Sequence, residues 1–288
     1  MRIRAVRRVC DRGSADSVIE VRFGLHLPQL GVLGDPLRLV DLAERAEIAG
    51  WDGFFVWDHL MHAGDLPACD PWVALGAVAA RTEQLTLGPL VTPLPRRRPW
   101  KVAREAVTLD RLTKGHSVLG VGIGTDHYRE FAAFNEPATN DRQRAALLDE
   151  GLEVITSLWR GQRVAHTGPH FRVDDVLQVP EPIQAPRIPI WCAAIWPHTA
   201  PLHRAARWDG VVPMGRLTPS DIVDLRAEVD RHRVVTTPFD VALATAAASG
   251  SPLTEYEVAG VTWWLVSLDP RATMSSLQAL VDDGPPGP

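Results

Sequence analysis

Lysine is almost missing from this 288-residue chain: of its 30 basic residues only Lys101 and Lys114 are lysines, and the rest are arginines. That skew reads as the codon bias of a GC-rich genome rather than as a binding signal. Cysteine is scarce too. Cys10, Cys69 and Cys192 are widely spaced and form no CxxC pair, so no disulfide framework is expected and a reducing, cytoplasmic setting is. No run of about 18 apolar residues exists, so no membrane-spanning helix is expected. The formal net charge is −5 with no strongly basic half, which argues against a nucleic-acid partner. There is no G-x-S-x-G nucleophile elbow. His59 and His62 lie near Asp65, Cys69 and Asp70, but without a third ligand at a familiar spacing, so no metal is expected.

What is present is rhythm. Short apolar runs alternate with longer segments of helical period. VRFGLHL (21–27) reads as a strand, and residues 36–49 as a helix opened by Asp35-Pro36 and stopped by Gly50. DGFFVW is the next strand, followed by a helix over 71–81 behind Asp70-Pro71. LTLGPLV (85–91) and SVLGVGI (117–123) are strands, with helices over 99–113 and 141–160. Residues 161–187 break the pattern with prolines and glycines, and a short hairpin is expected near 163–173. The alternation resumes with IPIWCAA (188–194), DGVVPM (209–214), FDVALATA (239–246) and GVTWWLV (260–266), each followed by a helical segment. The runs lack period-2 alternation, which marks strands covered on both faces. Eight such units predict an α/β fold, a closed (β/α)8 TIM barrel over 21–288. An open doubly wound sheet is the runner-up. The first 20 residues are basic without an apolar stretch and read as a disordered extension rather than a secretory signal. Ala-Gly-Trp-Asp-Gly (49–53) is echoed by Ala-Arg-Trp-Asp-Gly (206–210), a helix-to-strand turn used twice.

In such a barrel the chemistry sits at the C-terminal ends of the strands. The candidates are therefore Pro28-Gln29, Asp58-His59, Pro89 to Pro93, Gly122 to Thr125, Ala193 to Trp196 and Pro213-Met214. Asp58-His59 stands out, an acid and an imidazole closing an otherwise apolar strand. The alternative is a histidine hydrogen-bonded in the upper core. GVGIG (120–124) is not the dinucleotide fingerprint, because its third glycine comes one residue early. These glycines either admit a flat ligand or fill a narrow barrel top. The run Arg96-Arg97-Arg98 reads as a solvated surface before a helix, with anion binding as the lesser alternative.

RFGLHLPQLG, AERAEIAGWDGFFVWDH, the long stretch DPWVALGAVAARTEQLTLGPLVTPLPRRRPWKVARE, LDRLTKGHSVLGVGIG, LLDEGLEVITSLWRG, PIWCAA and AARWDGVVPM together resemble the bacterial-luciferase-like superfamily of flavin- or deazaflavin-dependent oxidoreductases. The resemblance runs from about 22 to 234 and rests on the order and spacing of the motifs. It implies a (β/α)8 barrel with an excursion before strand five and a flavin-type ring at the strand C-termini. Asp58 and His59 fall on the Asp-His pair that ends strand two in deazaflavin-using relatives. The family's non-proline cis peptide falls near Pro89-Leu90 or Leu90-Val91, behind the ring, so Pro89, Leu90 and Val91 become cofactor contacts. Ile123, Gly124 and Thr125 lie beside the ring or phosphate, although many relatives carry an acidic residue where Thr125 stands. Ala193, Ala194, Ile195 and Trp196 belong to the phosphate and tail region.

The resemblance implies hydride transfer between a reduced cofactor and a small organic substrate. Coenzyme F420 is favoured over FMN. His59 would serve as the proton-handling group, and Asp58 would fix His59 or contact the ring. One alternative is an FMN-dependent two-component monooxygenase fed by a separate reductase. The unit between strands seven and eight is cut down to SPLTEYEVAG, about two turns at most, which raises a second alternative, a non-catalytic flavin-binding relative. A homodimer is expected from the same trimmed flank.

Overall fold

The structure is a computed structural model and describes residues 21–62, 65–138, 140–246 and 252–286. The expected N-terminal extension lies outside these residues.

The elements follow the apolar rhythm closely. In chain order they are β1 (Arg22–Leu27), α1 (Pro36–Ala49), β2 (Gly53–Val56), α2 (Pro71–Ala79), β3 (Thr86–Pro89), β4 (Thr92–Pro93), α3 (Pro99–Leu112), β5 (Leu119–Gly122) and α4 (Asp141–Leu158). After these come the β6–β7 hairpin (Val164–Thr167, Arg172–Val176), β8 (Ile190–Ile195), α5 (Thr199–Ala205), β9 (Gly210–Met214) and α6 (Pro219–His232). The chain closes with β10 (Asp240–Ala246), α7 (Leu253–Ala259), β11 (Trp263–Ser267) and α8 (Met274–Asp282). The capping chemistry is as read: the Asp35 carboxylate accepts from Leu37 N–H and that of Asp70 from Val73 N–H. Gly50 ends α1 in the left-handed conformation at φ 92°, where a side chain would be strained.

The large sheet runs β3-β2-β1-β11-β10-β9-β8-β5-β4, every described pairing in it parallel. β3 and β4 are two halves of one strand interrupted at Leu90 and Val91, so the nine segments make eight strands. Closure is achieved from both halves. Leu87 of β3 exchanges hydrogen bonds with His116 O and Val118 N at 2.9 Å each, and β4 pairs with β5 at Thr92 and Pro93. A closed barrel, not the open sheet, is therefore the fold.

The barrel interior is filled by Phe55, Trp191 and Trp263, whose ring centroids lie 5.5–5.6 Å apart in tilted and edge-on contact. The larger apolar layer lies between strands and helices, with Leu25, Leu27, Phe54, Leu75, Val102 and Ile155 at 0 % exposure. The repeated Trp-Asp-Gly turn does one job twice. Asp52 accepts from Phe23 N and donates its own N–H to Phe23 O, both at 2.8 Å. Asp209 does the same with Ile190, at 2.8 and 3.0 Å. Each aspartate thus locks the strand it opens to a neighbouring strand.

The excursion is the antiparallel hairpin β6–β7, between α4 and β8. It is fastened twice. Glu150 on α4 accepts from His170 N, Phe171 N and the His166 ring. Asp110, fully buried on α3, accepts from Ile183 N, Gln184 N and Gln184 Nε2. The seventh unit is short, as expected, but α5 has the same length of 7 residues.

Candidate active site

The mouth of the barrel is built by the segments that follow each strand. After β2 the chain delivers Trp57, Asp58, His59 and, in the next loop, His62. After β5 comes a loop carrying Tyr128 and Glu130. The half-strand β4 and the helical turn behind it deliver Thr92, Arg96 and Arg97.

Asp58 and His59 have separate fates. The Asp58 side chain is almost completely buried and is consumed by the protein itself. Arg97 grips it with two hydrogen bonds, Nε to Oδ2 at 3.1 Å and Nη2 to Oδ1 at 3.0 Å, and Thr92 donates its hydroxyl at 2.9 Å. A planar guanidinium holding a carboxylate by two parallel bonds fixes both partners. Asp58 is thus held out of solvent by the protein's own groups and does not fix His59, one of the two roles expected for it. Of the arginine run only Arg98 is a solvated charge: the side chains of Arg96 and Arg97 are only 5 % and 20 % exposed. The acidic partners of Arg96 and Arg97, Glu130 and Asp58, lie far away in sequence.

His59 is held by Glu130, a residue that the sequence analysis did not single out. Its Nδ1 lies 2.9 Å from Glu130 Oε2, while Oε1 of the same carboxylate accepts from Arg96 at 3.0 Å and from Leu60 N. Gln29, at the end of β1, donates to the His59 carbonyl at 2.6 Å. Burial opposes ionisation of Glu130, but the His59 hydrogen bond and the Arg96 charge outweigh it and hold the carboxyl at about 2. An ionised carboxylate only accepts, so the proton of this bond sits on Nδ1 of His59. In neutral His59 the lone pair is then on Nε2, for which the described residues supply no hydrogen-bond partner. The ring is edge-on to Trp57, His62 and Tyr128, with centroids 5.7–5.9 Å away. A signal for Glu130 was available: it lies in the loop after the fourth barrel strand, on the functional side.

The third-strand bulge is where it was expected, with the cis bond at Leu90-Val91. Its support comes from His26, near the end of β1, which is 6 % exposed. His26 Nε2 lies 2.8 Å from Leu90 O and Nδ1 2.8 Å from Ser267 Oγ. A carbonyl can only accept, so Nε2 carries the proton and Ser267 donates to Nδ1. Desolvation by burial, only partly offset by the Leu90 carbonyl, lowers the His26 pKa to about 4, so the ring is neutral. The glycines of the fourth strand serve the same bulge. A Cβ on Gly120 would stand 2.3 Å from both Pro89 O and Leu90 Cδ2. Of the two readings of this run, packing is the one that Gly120 supports.

A cavity of about 530 Å³ opens at the mouth, walled by Trp57, His62 and Tyr128 on one side and Leu268, Pro270 and Arg271 on another. Trp57 Nε1 and His62 Nδ1 are buried there without a partner among the described residues. Ile195 and Met214, paired at the ends of β8 and β9, are 58 % and 40 % exposed. Two exposed apolar side chains at strand ends form a shelf for an apolar face. The remaining predicted contacts are scattered round the rim. Pro89, Leu90 and Ala194 are buried in the strands, and Val91, Ile123, Gly124 and Ala193 are half-buried. Thr125 is exposed. Trp196 is turned outward to α6, its indole N–H donating to Asp221 at 3.1 Å.

The size of the cavity, its aromatic wall and its unpartnered polar atoms fit a flat, polar-edged heterocycle. The sequence matches the family described as luciferase-like monooxygenase over residues 18–264. It is 36% identical over 190 residues to an F420-dependent glucose-6-phosphate dehydrogenase from Nakamurella multipartita, covering 64% of this chain and 52% of that protein. It is 35% identical over 183 residues to an F420-dependent hydroxymycolic acid dehydrogenase from Mycobacterium tuberculosis, covering 62% and 49%. The chain thus spans about half the length of these curated relatives. An F420-dependent secondary alcohol dehydrogenase in complex with an F420–acetone adduct superposes with a TM-score of 0.76 over 92% of this chain and 98% of that one, at 15% identity. The F420-dependent tetrahydromethanopterin reductase from Methanopyrus kandleri gives 0.72 over the same shares, at 18% identity. These two likenesses concern the fold.

Proposed function

Because the chain belongs to the luciferase-like monooxygenase family, we propose that it is an oxidoreductase using coenzyme F420, with a small organic substrate bound against the aromatic wall. The observation that carries this reading is the Glu130–His59 pair at the end of β2, with the imidazole packed edge-on against Trp57, His62 and Tyr128 of the cavity wall. The F420-dependent relatives support the choice of cofactor. When bound, the deazaflavin supplies the two-electron, hydride chemistry, which no side chain can.

The chain's own contribution is positioning and proton handling. The neighbourhood of Leu90 and Val91, braced by His26, would support one face of the ring, and Ile195 and Met214 would meet it from the β8–β9 side. Glu130 fixes the tautomer and the orientation of His59, as a carboxylate does for a catalytic imidazole. Nε2 of His59 is then free to take a proton from a substrate hydroxyl, or to return one to a carbonyl in the reverse direction. Asp58 acts one step back: it anchors Arg97, next to the Arg96 that shares Glu130.

The same reading includes a homodimer. The FMN-dependent alternative would add a separate reductase as partner. Titration of the purified protein with F420 should quench or shift the cofactor's fluorescence, with weaker binding of FMN. A panel of alcohols should then bleach the deazaflavin absorbance in turnover. Micromolar FMN binding with no response to F420 would reverse the order of cofactors. Tight F420 binding with no turnover across chemically varied alcohols, aldehydes and ketones would favour the non-catalytic relative.

A further inference from the structure

On the outer face of the barrel, away from the mouth residues, His203 of α5 meets Glu228 and His232 of α6. His203 Nε2 lies 2.8 Å from Glu228 Oε1, and His232 Nε2 lies 3.3 Å from the same oxygen. The ligand atoms all fall within 4.8 Å of one another. The two imidazole rings lie against each other, tilted by 39°, with centroids 3.7 Å apart. Glu228 and His232 are four residues apart on one helix, so they share a face. Three groups that ligate metals therefore converge from two helices on one point.

We propose that His203, Glu228 and His232 form a surface site for a divalent transition-metal ion, zinc by preference, that cross-links α5 to α6. The dimensions suit it. Tetrahedral zinc with ligands at about 2.0–2.1 Å places neighbouring ligand atoms about 3.3 Å apart; the two histidine–carboxylate separations are 2.8 and 3.3 Å, and the two imidazoles, with centroids 3.7 Å apart, would splay apart to seat the ion. The chemistry suits it too. Two neutral imidazoles and one carboxylate are a zinc donor set, whereas magnesium and calcium take oxygen ligands. Arg231 pairs with Glu228 at the other carboxylate oxygen, Oε2, which leaves Oε1 for a single-point bond. Both histidines are about two-fifths exposed, 41% and 44%, so the ion can enter and its fourth position is open to water.

α5 is only 7 residues long, and a metal tie at its C-terminal end would fasten it to the longer α6. Since both helices follow strands that end at the mouth, the tie stiffens the scaffold without touching the cavity.

The test uses tag-free full-length protein stripped with a chelator and titrated with zinc chloride against a chromogenic competitor. One zinc per chain is expected, together with a zinc-dependent rise in melting temperature. His203→Ala, His232→Ala and Glu228→Gln should each weaken binding at least about tenfold, with F420 binding unchanged and with native circular dichroism. Zinc binding that survives undiminished in a folded His203→Ala/His232→Ala double variant would overturn the assignment, as would absence of saturable binding in the parent protein.

Discussion

Replacing His26 by glutamine should remove a specific acid sensitivity of the fold. The neutral imidazole donates through Nε2 to Leu90 O, a bond that the side-chain amide of glutamine can reproduce. What glutamine cannot do is titrate. The free imidazole takes up its proton near 6.5, whereas burial lowers the folded value to about 4. Between these values the unfolded chain binds more protons than the folded one. The associated stability is complete above 6.5 and falls as the pH drops toward 4. Linkage over that interval amounts to about 2 kcal/mol between pH 7 and pH 5. Urea unfolding at closely spaced pH values measures it directly, and every other titrating group cancels in the difference between the two proteins. The parent should lose about 2 kcal/mol more than His26→Gln over that interval, with m-values unchanged. If the two proteins lose stability in parallel, His26 is not buried in its neutral form and the brace on Leu90 is wrongly described.

His59→Ala should reduce kcat roughly 10²–10⁴-fold while F420 affinity and melting temperature change little; a stable variant with near-normal turnover would remove His59 from the chemistry. Glu130→Gln should lower kcat in the same direction but less, without weakening cofactor binding, and a selective loss of cofactor binding would contradict its positioning role. Because the Glu130 carboxyl sits at about 2, below its ordinary 4.5, its stabilising pairs are present above 4.5 and are lost as the pH falls toward 2; acid unfolding of Glu130→Gln should lack that component. Asp58→Asn strands Arg97 in a half-buried position and should cost about 3 kcal/mol in chemical denaturation. Gly120→Ala forces a Cβ against Pro89 O and should cost roughly 1–3 kcal/mol and weaken F420 binding; an unchanged melting temperature would show that the bulge can yield. Light scattering should show a dimer at micromolar concentration, and a monomer throughout the range would refute that part of the proposal.

The barrel was legible because each of its parts is local. Apolar runs, Asp-Pro helix starts and the Gly50 stop are short-range signals, and they placed α1 at its observed bounds. The position of Asp58 and His59 was legible for the same reason, since a strand's C-terminal end follows from its apolar run. Their partners were not. Glu130 lies 71 residues from His59, and Arg97 lies 39 from Asp58. Nothing local in Arg96-Arg97-Arg98 distinguishes a charge facing water from one that closure brings onto a buried carboxylate. Only the barrel topology, which sets the third strand between the second and the fourth and gathers their C-terminal ends at one mouth, makes that pairing necessary.

The two carboxylates that fasten the excursion also define how this chain can change. Glu150 and Asp110 receive the backbone N–H groups of His170, Phe171, Ile183 and Gln184, whatever side chains those residues carry. A replacement segment between α4 and β8 must present backbone donors at these two points and apolar side chains where Val164, Phe171 and Val173 meet the core. Much of β7, by contrast, faces outward, with four of its 5 positions exposed. The insertion is therefore a socket with standard contacts and a free outer surface, open to exchange by recombination while the mouth of the barrel keeps its geometry.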